Sequence, residues 1–123
     1  MRPERALRVL CWLAFMAAAV GCDKRPQPAP LGDAENGKLL LRQFACGSCH
    51  TIPGVAAARG VTGPPLEGVG RRVYLGGVLP NSPENMALWI QHPQRFEPGT
   101  AMPDLGVTPG HARDMAAYLS RLK

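Results

Sequence analysis

Apolar positions along the chain fall into stretches with a definite period, separated by long stretches with none. Val9 to Val20, "VLCWLAFMAAAV", is one continuous apolar run behind Arg2, Arg5 and Arg8. A positive leader before a short hydrophobic core is the layout of an export signal, and the run falls short of the ~20 residues a membrane-spanning helix needs. From Asp23 the pattern turns polar, with Pro26, Pro28 and Pro30 at alternate positions. That spacing keeps a chain extended at ~3.1 Å per residue, which predicts a semi-rigid tether. We expect a signal peptide over 1–21, a Pro-rich tether over 22–31 and one folded domain over 32–123.

Helical period appears three times in that domain. Asp33 is placed to cap a helix through "AENGKLLLRQFA", where Leu40, Leu41 and Phe44 share a face. A second helix is predicted in "NSPENMALWIQHP", with Ser82 as cap, Pro83 in its first turn and Pro93 as its stop. The last opens on Thr108 and Pro109, and Ala112, Met115, Leu119 and Leu122 recur on one face. Between Thr51 and Leu79 no period persists, and neither strands nor repeats are predicted. A loop region that long usually has a functional reason. The fold class is therefore all-α, with three main helices joined by long loops.

Composition adds one point. The chain holds 14 Gly and 13 Pro, as its loops require, but only 6% aromatic residues. So small a domain has a poor ratio of core to surface, and a bound cofactor would supply missing volume. Charge adds little: the formal net of +5 falls to about +3 without residues 1–21, and no Lys/Arg stripe suggests nucleic acid.

Three of the four cysteines carry the chemistry, Cys11 lying within the apolar leader run. "AAVGC" resembles the lipobox of bacterial lipoproteins, in which the signal is cut before a cysteine that carries diacylglycerol. Cys22 is then the lipidation site, and the expected location is the periplasmic side of the cell membrane. Asp23 resembles an inner-membrane retention signal. Ordinary cleavage to a soluble periplasmic protein, or an uncleaved signal anchor, are the alternatives.

The other two cysteines sit in "CGSCH". A dithiol oxidoreductase would place such a pair on a helix after a β-strand, and this chain shows no such alternation. Structural zinc needs a further ligand pair, and His92 and His111 lie far apart, each at a helix end. Covalent haem uses all three residues, Cys46 and Cys49 as thioethers to the porphyrin vinyls and His50 as axial ligand. A sixth ligand would make the iron an electron relay, whereas an open position would make it reactive. The candidates are Met86, Met102, Met115, His92 and His111. Met86 and Met115 fall at helical apolar positions that suit the core, and the histidines are expected to be solvated. Met102 lies in a Pro/Gly-stiffened loop where no period accounts for it, and is the expected ligand.

The stretches "CGSCHT", "GPPLEGVGRR", "ENMALWIQHPQRFEPGTAMPDLG" and "ARDMAAYLSRL" together resemble class I cytochrome c, over about Gly32 to Lys123. They are most similar to the haem c domain on subunit II of certain copper haem oxidases, and to stand-alone lipoprotein relatives. The resemblance implies an α fold wrapped around one covalent haem c, with the first and last helices crossing. It implies that the Pro64 carbonyl receives the ring N–H of His50, that Arg72 or its neighbour Arg71 pairs with a propionate, and that Trp89 lines the crevice near Met102. Phe44 and Tyr118 would pack where the terminal helices meet. The function implied is one-electron transfer without catalysis, from a quinol-oxidising complex or dehydrogenase to a terminal oxidase, by a protein otherwise monomeric. A permanently bound subunit of an oxidoreductase complex, or a haem enzyme or gas sensor with a labile Met102, are the alternatives. The loop "GVAAARG" has no lysine, and Ala101 stands where mitochondrial relatives carry one. Such a weakly charged contact surface suits a carrier tethered near its partner.

Overall fold

The computed structural model describes residues 32–123. The expected signal peptide, the expected tether and the expected lipidation site at Cys22 lie outside the described residues. The chain forms helix α1 (Ala34–Gln43), a 3₁₀ turn (Cys46–Ser48), a second 3₁₀ turn (Val69–Arg71), strands β1 (Tyr74–Leu75) and β2 (Leu79–Pro80), then helices α2 (Pro83–Gln91), α3 (Pro93–Phe96) and α4 (Pro109–Leu119). Among the described residues no helix is long and apolar enough to cross a membrane.

Caps set the helix starts. The Asp33 carboxylate accepts from the N–H groups of Glu35 and Asn36, Ser82 from Asn85, and Thr108 from His111. These bonds satisfy donors that a helix N-terminus leaves open. Pro83 and Pro109 occupy first turns, where their missing N–H costs nothing.

The terminal helices α1 and α4 cross at Gly37. A Cβ there would stand 1.9 Å from the Asp114 carbonyl oxygen, so only glycine lets the backbones approach this closely. Asp114 ties the crossing. Its carboxylate accepts from the Asp33 N–H at 2.8 Å and from Asn36 Nδ2 at 2.7 Å. Leu40 and Leu41 of α1, Met86 and Ile90 of α2, and Met115 and Leu119 of α4 meet in one buried cluster. Phe44 stands edge-on to His111, their centroids 6.0 Å apart. Tyr118 turns its hydroxyl elsewhere and donates to the Pro53 carbonyl at 2.7 Å.

Three expectations are corrected. Pro93 does not only stop α2: it also opens the single turn α3, because proline is at home at a first helical position. Strands do exist, as a hairpin pairing Leu75 with Leu79 and Tyr74 with Pro80. Its turn places Gly76 and Gly77 at φ +55° and +78°, a left-handed conformation that favours glycine, and two-residue strands leave no alternation to detect. His111 is only partly solvated: the residue is half-buried, and its Nδ1 is buried with no hydrogen-bond partner.

Candidate functional site

The site begins where α1 ends. Ala45 takes a left-handed φ of +54° and turns the chain into the Cys46–Ser48 turn. The Ser48 N–H and hydroxyl both donate to the Ala45 carbonyl, and the N–H groups of Cys49 and His50 donate to Cys46. Cys46, Cys49 and His50 are thereby wound onto one turn. The following loop backs this turn closely. Gly60 N–H donates to the Gly47 carbonyl at 3.0 Å and Gly63 N–H to the Cys49 carbonyl at 2.8 Å. Burial pushes the Cys46 thiol above its ordinary value, with Cys49 adding to it, opposite to the activated thiolate of a redox dithiol. Among the described residues no three His, Cys, Asp or Glu side chains converge to hold a metal ion.

His50 is oriented from two sides. Its Nδ1 lies 2.7 Å from the Pro64 carbonyl oxygen. A carbonyl only accepts, so Nδ1 carries the proton and Nε2 the lone pair. Gly63 lies against the ring, where a Cβ would come within 2.5 Å of Cε1.

His50 lines a cleft of about 450 Å³, a volume typical of cofactor sites. The walls come from every main helix: Leu41 from α1, Trp89 and Ile90 from α2, and Leu119 from α4. Cys46, Cys49, Pro64, Arg72 and Met102 line the same cleft. The structure thus brings together every cofactor residue expected within the domain. Among the lining residues Arg72 is the only Lys, Arg, Asp or Glu, and its guanidinium donates to the Pro65 carbonyl. Arg71 is absent from the lining and folds over Gly68 instead, which separates the two arginines. Met86 and Met115, by contrast, are 2% and 0% exposed in the core.

Met102 is half-buried on the loop after α3. Its N–H donates to Thr100 Oγ1 at 3.3 Å, and Gln94 Nε2 donates to its carbonyl at 2.6 Å. Farther on, Asp104 is held below its ordinary pKa by the Gly106 N–H and then by His92, whose Nδ1 lies 3.1 Å away. Sequence reasoning missed Tyr74 and Gly76, both on the cleft wall. Gly76 presses on Trp89, where a Cβ would meet the indole at 2.2 Å. The "GG" pair was the available signal for that turn.

Residues 34–123 match the family model for cytochrome c. The chain belongs to the cytochrome c family. It is also 31% identical over 91 residues to cytochrome c oxidase subunit 2 of Alkalihalophilus pseudofirmus, covering 73% of this chain. The match covers 26% of that relative, so the chain spans about a quarter of its length. Membership brings a covalently attached haem c and the role of a haem-binding electron carrier, on the class I fold expected. The residues present fit such a group: an apolar cleft, two thiols and an imidazole on one turn, and a thioether sulfur on the same cleft.

Proposed function

We propose that this cytochrome is a monohaem one-electron carrier whose iron is held by His50 and Met102, with Cys46 and Cys49 forming the thioethers. The observation that carries this reading is the His50 ring, whose Nδ1 is committed to Pro64 while Met102 lines the same apolar cleft. A carbonyl partner on Nδ1 fixes the tautomer and raises the basicity of Nε2 toward a metal. Two strong protein ligands leave no position for substrate, so the haem supplies reversible one-electron chemistry and the chain supplies burial and orientation. Arg72, the one charged side chain on the cleft wall, would pair with a propionate, and Trp89 would pack against the macrocycle. Met102→Ala is expected to keep covalent haem but become high-spin and bind carbon monoxide when reduced. An unchanged absorption spectrum would exclude Met102 as ligand.

The electrons would come from a quinol-oxidising complex or dehydrogenase and leave to a terminal oxidase, consistent with similarity to an oxidase subunit. That same similarity favours a second reading, in which the protein stays bound to an oxidase; co-purification in mild detergent separates the two. We further propose export, cleavage before Cys22, and acylation that tethers residues 32–123 to the periplasmic face of the membrane through the Pro-rich segment. Cys22→Ala should then release the protein into the soluble fraction, and continued membrane retention would rule the anchor out.

A further inference from the structure

The loop that carries Met102 runs from the end of α3 to the start of α4 with no regular structure. Segments of this kind open locally at low cost unless something holds their backbone. Several bonds shape the loop from within. Thr100 N–H donates to the Glu97 carbonyl at 3.0 Å, Gly99 N–H to Glu97 Oε1 at 3.1 Å, and Met102 N–H to Thr100 Oγ1. None of these ties the loop to the body of the protein.

Val107 anchors the far end of the loop in the core, and two side-chain hydrogen bonds hold its middle, both from the junction of α2 and α3. His92 Nδ1 meets Asp104 Oδ2, 12 residues away along the chain, and Gln94 Nε2 donates to the Met102 carbonyl, 8 residues away. The junction is itself firm: Pro93 is fully buried, His92 N–H donates to the Leu88 carbonyl, and Arg95 N–H donates to the His92 carbonyl. Of the two ties, the Gln94 bond acts on Met102 itself.

We infer that Gln94 is a positioning residue for Met102: its amide holds the ligand loop against α3 and sets how readily an outside donor displaces the methionine sulfur. The inference rests on the reading of Met102 as axial ligand. Gln94 is not on the cleft wall, so it acts through the backbone of Met102 alone. The function needs a donor of this length. Glutamate has the same shape, but its carboxylate only accepts and would face the carbonyl without a proton to share.

The test is an imidazole titration of the oxidised holoprotein at pH 7, followed in the main haem band and in the weak red band of iron–sulfur ligation. Gln94→Glu and Gln94→Ala are expected to keep the red band before imidazole is added. Both should then bind imidazole about fivefold more tightly than the unaltered protein, the factor one exposed hydrogen bond supports. Arg95→Ala removes the adjacent side chain, which lies over the Phe96 ring, and should match the unaltered protein. Equal imidazole affinity in the unaltered protein and both Gln94 variants overturns the positioning role while leaving Met102 as ligand. An equal gain in Arg95→Ala, tracking a lower urea midpoint, overturns it too, since that marks general loosening. If the unaltered protein lacks the red band and Met102→Ala changes nothing, the ligand assignment falls and takes this inference with it.

Discussion

Gly63 decides where the His50 imidazole can stand. A Cβ at this position would lie 2.5 Å from Cε1 and 2.7 Å from Nδ1, closer than side chains pack, so the ring would have to leave the Pro64 carbonyl. Gly63→Ala is expected to destabilise the holoprotein by about 1–3 kcal/mol, the range for overpacking a filled site. It should also shift the proton resonances of the axial histidine, because ring orientation changes with the lost bond. Native resonances and an unchanged urea midpoint would show that the ring has room. At this scale the chain declares its chemistry unevenly. Cys46, Cys49 and His50 are readable because one turn holds all three, and Met102 because it breaks the helical period. Gly63, Gly76 and Gln94 act through partners 8 or more residues away, and no local pattern encodes that distance.

Helices were legible where capping residues and apolar period coincide, as at Asp33, Ser82 and Thr108. The hairpin was not, since its strands are too short to alternate, and α3 was hidden by the double meaning of Pro93. The α1–α4 crossing shows what such reading cannot reach. Periodicity gives each helix its buried face, but the contact at Gly37 depends on Asp114 being its neighbour in space. That contact has a pH signature. Hydrogen bonds from Asn36, and next from the Asp33 N–H, hold the Asp114 carboxyl below its ordinary value. A carboxylate with a depressed folded pKa adds stability above its unfolded pKa, about 3.9, and loses it as pH falls through the folded value. Asp114→Asn should therefore cost about 1 kcal/mol or less at pH 7, because the pair is solvent-screened. The gap between the two urea midpoints should narrow below about pH 4. A gap that stays constant down to pH 2 would mean the carboxylate charge plays no part in holding the crossing.

The three main helices meet one another and the cleft with the same residues. Leu41, Ile90 and Leu119 are 2%, 7% and 5% exposed, belong to the buried cluster, and also line the cleft. Protein core and cofactor therefore share walls, as the scarcity of aromatic residues suggested. Without the cofactor these apolar walls, which all three main helices share with the core, would face water, and the stabilisation that their burial contributes would be lost. The loops around His50 and Met102 bury Ile52, Val55, Ala58, Val69 and Val107, but they do so in the same cluster that supplies the cleft walls. The chain before haem attachment is therefore expected to show reduced helix by far-ultraviolet circular dichroism and a broad, non-cooperative thermal transition. The haem-bearing chain should show a single sharp one. A Cys46→Ala/Cys49→Ala double variant, which forms no thioether, should resemble the haem-free chain after passage over a haem-scavenging resin. If that variant instead unfolded sharply at the midpoint of the holoprotein, the helices would close without the cofactor, and the shared walls would be a consequence of the fold rather than its cause.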